Sequence, residues 1–134
     1  MADWYIAKFE PAHLPGVLRL CEAEGWPSLP SDPFRAARTL TAPGAVTVVA
    51  VRDGDVVGFA FALVDAGGID AYLSTMAVDS EHRRQGIANA LVAAIFATSG
   101  ASRLDLLAEP GSEAFYESLP HRDFRGFRIY PDSN

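Results

Sequence analysis

The stretch AVDSEHRRQGIANALVAAIF, residues 77–96, decides how this chain folds. A β-branched and small-residue run ends at Val78, a polar turn follows, and a helical pattern opens at Gly86 directly after Arg83, Arg84 and Gln85. The first turn of a helix leaves amide N–H groups without partners and carries a partial positive charge, so it receives phosphate. Gly86 has no Cβ and Ala88 a minimal one, which lets a ligand come close to the backbone. His82, Arg83 and Arg84 add cationic donors beside the turn. A glycine near a helix start with two arginines is common in itself, and neither GxGxxG nor GxxxxGK is present. The chemistry this segment suggests is capture of a pyrophosphate.

Working outward, the helix from Gly86 to about Thr98 has Asn89 as its only strongly polar side chain between Ile87 and Ala97, so it is expected to be covered on most sides. Gly100 ends it and RLDLL, residues 103–107, reads as a strand. Strand, helix, strand over residues 70–107 predicts a parallel crossover. Upstream, AVTVVAV (45–51) and VVGFAFALV (56–64) flank an Asp-Gly pair, a strong hairpin signal, and DAYLSTMAV (70–78) continues the meander. Residues 4–9 read as a short strand. A helix is expected from about Ala12 to Glu24, where Leu14, Val17, Leu18 and Cys21 recur at helical spacing and Gly25 stops it. Asp32 and Pro33 cap a second helix running to about Leu40. A short helix over residues 112–119 and a last strand over 124–130 complete the order. The class expected is α+β in three layers: a mixed, mostly antiparallel central sheet, one parallel crossover, and helices on both faces.

A chain of 134 residues with 49% apolar and 21% charged residues makes one globular domain, residues 1–134. Its one cysteine, Cys21, excludes an intrachain disulfide, and without a Cys/His cluster no structural zinc site is expected. The start MADWYIAKFEP lacks the pattern of a signal peptide, and no apolar run approaches the ~18 residues of a membrane helix. A cytoplasmic domain with no membrane partner is therefore expected. Net charge −6 argues against nucleic acid as a partner, since that binding needs a basic face.

A second motif, EAFYESL (113–119), follows the strand RLDLL. Phe115 and Leu119 lie one helical turn apart and are expected to face the core, with Tyr116 on a neighbouring face. Tyr116 is then either a packed aromatic with its hydroxyl at the surface or a proton donor aimed into a cleft.

Joined at this spacing, the two motifs resemble the GNAT N-acetyltransferase superfamily. Its signature, Q/R-x-x-G-x-G/A, is read here as Arg83, Arg84, Gln85, Gly86, Ile87 and Ala88, with LSTMAVDSEHR before it and FY after it. The resemblance implies acetyl-coenzyme A as donor. The backbone of Met76, Ala77 and Val78 would hold the pantetheine arm between two splayed strands, and the amides around Arg83 to Asn89 the pyrophosphate. It also implies Tyr116 as the acid that protonates the leaving thiolate. Transfer would be direct, in a ternary complex, to a primary amine on a small molecule or peptide. Cys21 is then a core residue. A general base is left open among Asp65, Asp70 and Tyr72. The chain departs from the pattern at Glu109, where many members carry asparagine, and at Leu119, Pro120 and His121 after FYE. Trp26, Pro27, Ser28 and Phe34 are the expected acceptor wall, with His121 a further candidate. A non-catalytic acyl-coenzyme A binding module is the alternative, no metal is expected, and either a monomer or a homodimer fits.

Overall fold

A computed structural model describes residues 3–132. Five strands form one sheet in the order β1 (Tyr5–Lys8), β2 (Ala45–Arg52), β3 (Asp55–Val64), β4 (Asp70–Val78) and β5 (Arg103–Leu106). The first four pair antiparallel and β4 pairs parallel with β5. Between β2 and β3 the Asp53-Gly54 pair takes positive φ at both residues, 51° and 82°, as a two-residue hairpin turn requires.

Two clusters of buried side chains lie on the two faces of the sheet. One joins Val49, Phe59 and Phe61 to Val17, Leu20 and Cys21 of α1 (Leu14–Glu24) and Leu40 of α2 (Pro33–Leu40). The other joins Val48, Ala60 and Leu73 to Ile87, Leu91 and Ile95 of α3 (Ile87–Ser99). The side chains alternate between faces as a pleated strand dictates. Close approach of the helices depends on two glycines. A Cβ at Gly16 of α1 would come 2.6 Å from Val56 Cβ, and one at Gly58 of β3 would come 3.0 Å from Ile87 Cγ2.

Three sequence expectations need correction. The first helix begins at Leu14, because Pro11–His13 form a separate 3-10 turn ahead of it. The helix α3 is not covered on most sides: Ile87, Leu91, Val92 and Ile95 are buried, while Ala93 and Ala97 are exposed. Its apolar outer positions are mostly alanine, which suits helix formation without needing cover. Residues 124–130 form no strand, although their composition favours one; Phe124, Phe127, Ile129 and Tyr130 all stand exposed. No helix is long and apolar enough to cross a membrane among the described residues.

The feature that positions the site is the early parting of β4 and β5. Their pairing runs only from Asp70↔Arg103 to Leu73↔Leu106, after which β4 continues to Val78 paired with β3 alone. A bulge at the same place, where Phe61 pairs Thr75 but Ala62 pairs Leu73, leaves Ser74 without a partner on β3. Bulges bend a strand and raise its twist, which turns the end of β4 away from β5.

Candidate active site

A cleft of about 560 Å³ opens where the two strands separate. Its floor is Met76, Ala77 and Val78; one wall is the loop after β4 with the start of α3; the other wall is Glu109 to Ser112 with Phe115 and Tyr116 of α4 (Glu113–Glu117). Glu24 and Trp26 stand at the rim.

The loop wall is built to leave amides free. The first bond of α3 runs from Ala90 N–H to the Gly86 carbonyl, so the N–H groups of Ile87, Ala88 and Asn89 lie ahead of the helical ladder. Among the described residues, the amides of Arg84 and Gly86 make no backbone hydrogen bond either, while Arg83 and Arg84 form the middle of a hydrogen-bonded turn. Two left-handed residues, Arg84 at φ 63° and Gly86 at φ 84°, fold this segment into a tight turn. The left-handed conformation costs an arginine about 1–2 kcal/mol, and such strain concentrates at functional sites. A Cβ at Gly86 would meet nothing within 4 Å, so the space in front of it is open. Free amides, a helix start and open space form a concavity for an anion. Three buried residues one turn apart, Ile87, Leu91 and Ile95, anchor this end of the helix on the sheet. Each is worth about 1.5–3 kcal/mol of burial.

Two of the side chains expected to meet phosphate are already engaged. The His82 Nδ1 proton is donated to Asp79 Oδ2 at 2.7 Å, while His82 Nε2 faces Arg52 Nη1 at 3.1 Å. A guanidinium only donates, so Nε2 accepts and the proton sits on Nδ1. Arg52 also pairs with Asp3 at 2.8 Å. The hydrogen bond from His82 is the main reason the Asp79 carboxyl lies below its ordinary pKa. This chain of contacts ties the loop to the end of β2. Arg83 likewise donates through Nε to the Val78 carbonyl at 3.2 Å and pairs through Nη2 with Glu24 at 2.8 Å. It bridges β4 to the end of α1 and closes one side of the cleft. Arg84 is the exposed cation left at the turn.

On the opposite wall Tyr116 is half-buried and packs against the α3-side cluster, its ring edge-on to Phe115 at 5.1 Å. It is Tyr116 that joins that core, in place of the Phe115 and Leu119 expected there. Burial raises its pKa above 10. Burial, with Glu22 and Glu24 nearby, also pushes the Cys21 thiol up to about 11, as befits a core cysteine.

The structure brings together Met76, Ala77, Val78, Arg83, Arg84, Gly86, Ile87, Ala88, Asn89, Tyr116 and Trp26 on one cleft, and leaves Gln85 off its lining. Four candidates for the acceptor side fall elsewhere. Phe34 is 82% exposed on α2, because Ala36 and Leu40 take that helix's buried face. Asp70 pairs with Arg103 at 3.1 Å where β4 and β5 are still joined, and Tyr72 lies in the same paired segment. His121 contacts Leu119 O and Asp123 in the C-terminal segment. Asp65, another base candidate, accepts from the Ile69 and Asp70 amides in a turn. Those amides, Ile69 foremost, hold its carboxyl below the usual range. Glu24 was missed from the sequence, where a glutamate ending a helix carries no signal of its neighbours.

The chain thus carries a mixed five-stranded sheet whose parallel pair, β4 and β5, parts beside the start of α3 and faces a half-buried tyrosine. Residues 3–119 match the model of the GNAT acetyltransferase family, and the chain belongs to that family. It is an enzyme of the acyltransferase class. No curated protein matches it by sequence. Solved structures share its fold. An acetyltransferase of Trypanosoma brucei superposes with TM-score 0.76 at 24% identity, over 96% of this chain and 99% of that one. The aminoglycoside acetyltransferase AAC(6')-Iy, in complex with a bisubstrate analogue of coenzyme A and acetylneamine, gives 0.78 at 21%, over 99% and 100%. A ribosomal-protein-alanine N-acetyltransferase of Brucella melitensis gives 0.76 at 23%, over 96% and 99%.

Proposed function

We propose that this enzyme binds acetyl-coenzyme A in the cleft between β4 and β5 and transfers the acetyl group directly to an amine. The observation that carries the reading is the continuity of the cleft, from the turn and helix start at residues 84–89 at one end to Tyr116 at the other. The donor brings a thioester, an acyl group already activated toward attack. The amides of Arg84 to Asn89 and the side chain of Arg84 take the diphosphate. Beyond Leu73 the free edge of β4 at Met76 to Val78 offers main-chain groups to an extended arm, as a neighbouring strand would. A main-chain N–H near Met76 stabilises the negative charge that develops on the acyl oxygen. As the C–N bond forms and the C–S bond breaks, the Tyr116 hydroxyl delivers a proton to the leaving sulfur, and the proton that the amine nitrogen gives up restores the phenol through solvent. Its raised pKa keeps it protonated at neutral pH, although a thiol near ~8.5 is the stronger acid. Positioning must therefore supply what acidity does not.

Trp26 at the rim, with Glu109 on the lining, suits an amine that carries positive charge and some apolar surface, whether on a small molecule or a peptide. The reading is tested by calorimetry with acetyl-coenzyme A followed by a screen of aminoglycosides, polyamines and peptide N-termini with free-thiol detection. Micromolar binding that weakens in high salt and thiol release with at least one amine are expected. Binding without release in any pairing would leave a coenzyme A-binding protein with no transfer activity.

A further inference from the structure

We infer that Arg52, at the end of β2 and outside the cleft, is a positioning residue for the donor, acting through His82 to preset the turn that receives the diphosphate. The inference rests on the acetyl-coenzyme A reading above. Both ends of the Arg52 guanidinium are engaged: Nη1 donates to His82 Nε2 at 3.1 Å and Nη2 pairs with Asp3 Oδ2 at 2.8 Å. Its Nε lies buried with no acceptor among the described residues. A buried donor left unmade is destabilising, and such exceptions call for a reason. A side chain kept only as a stitch between β2 and the loop would gain from a partner at that nitrogen. What the observed pose secures instead is the aim of the fork onto the imidazole.

The imidazole passes that constraint to the turn. Because a guanidinium only donates, Nε2 must accept, so the ring proton sits on Nδ1 and is donated to Asp79 Oδ2 at 2.7 Å. The same Asp79 oxygen accepts the Glu81 amide at 3.2 Å, and the Asp79 carbonyl accepts the His82 amide at 2.9 Å, which closes the 3-10 turn Ser80–His82. The Asp79 amide is donated to the Val57 carbonyl of β3 at 2.8 Å. Arg19 of α1 reaches the neighbouring Val56 carbonyl at 3.3 Å and adds positive charge beside Asp79. Contacts from α1, β2, β3 and the residue Asp3 thus converge behind one turn. Two residues past His82 comes Arg84 at φ 63°, a backbone state that persists only where its surroundings over-determine it. Downstream the hold is Ile87, buried beside Gly58 of β3; upstream it is His82, and behind His82 stands Arg52. A turn already ordered in its binding shape loses less entropy when a ligand docks. Arg52 therefore supports affinity for the diphosphate, while Tyr116, where bonds change, lies at the other end of the cleft.

Calorimetry with acetyl-coenzyme A is expected to show Arg52→Met binding about tenfold more weakly than wild type, the size of one lost hydrogen bond to a charged group. Arg52→Lys keeps the charge but has one donor group in place of the fork; it is expected to lose about threefold, and it carries the test if the methionine variant does not fold. S-acetylpantetheine bears the thioester arm without the diphosphate. In amide-shift titrations it is expected to bind wild type and variants alike, whereas a general loosening of the fold would weaken both ligands. With Asp79→Asn added to Arg52→Met, the loss is expected to be little more than that of the larger single change, because both act on one imidazole. Wild type that binds no acetyl-coenzyme A overturns the donor reading and the inference with it. Wild type that binds, matched by the folded Arg52 variants, overturns the inference alone. Equal weakening of S-acetylpantetheine, or additive losses in the double variant, overturn it as well.

Discussion

Replacing Gly86 separates the cost of folding from the cost of binding. Gly86 sits at φ 84°, and no atom lies within 4 Å of a Cβ built there. Gly86→Ala therefore meets only the left-handed backbone penalty, about 1–2 kcal/mol. For a domain of this size that lowers Tm by roughly 3–10 °C. Gly86→Glu carries the same backbone penalty and adds a carboxylate where the diphosphate would dock. At about 6 Å one unit charge repels another by ~0.7 kcal/mol in water and ~2.8 kcal/mol at an effective dielectric of 20. Two phosphate charges give ~1.4–5.5 kcal/mol, a loss of about tenfold to 10⁴-fold in affinity. Thermal unfolding and calorimetry on both variants, at low and high salt, read the two terms independently. The two variants should unfold within a few degrees of each other. The glutamate variant should bind acetyl-coenzyme A far more weakly, with the gap narrowing in salt. Equal affinities would refute the docking of phosphate at this turn, and a collapse of Gly86→Ala would refute the open space before it.

Tyr116→Phe should lower kcat by ~10²-fold with donor affinity nearly unchanged. Because burial holds the hydroxyl's pKa above the ordinary phenol value, the wild-type rate should show no fall from this group through the neutral range, as stopped-flow thiol release can check. Cys21, with its thiol pushed up to about 11, should be ~10⁻³ ionised at pH 8 and react with Ellman's reagent only on unfolding. The Asp79 carboxyl, lowered chiefly by His82, adds stability that is complete above the unfolded value near ~3.9 and is lost as pH falls through the folded value. Asp79→Asn should therefore be less stable than wild type at pH 7 by ~0.5–1.5 kcal/mol, toward the low end because the side chain is part-exposed. The gap should shrink toward pH 3 in denaturant titrations.

Most strands and helices were legible because their signals are local. Alternating β-branched runs around Asp53-Gly54 and the glycine stops at Gly25 and Gly100 each act within a few residues. The turn and helix start at residues 83–89 were legible for the same reason: one contiguous stretch carries them. What the sequence hid is non-local. Whether residues 124–130 become a strand depends on a partner edge, which propensity does not report. The engagement of Arg83 with Glu24 spans 59 positions, and that of His82 with Arg52 spans 30. Both side chains look like free cations until the fold closes. Phe34 was placed on the acceptor wall by the resemblance, and Asp70, Tyr72 and His121 by their nearness to the fourth strand and the last helix, yet the pairing of β4 with β5 and the facing of α2 carry them away from the cleft.

Amide chemical shifts of ¹⁵N-labelled protein, followed while acetyl-coenzyme A is added to saturation, address the docking turn directly. Downfield movement of the Arg84 to Asn89 resonances, the largest in the spectrum, is the outcome foreseen. Saturation that leaves those six amides where they were, with the changes gathered elsewhere on the molecule, would contradict it.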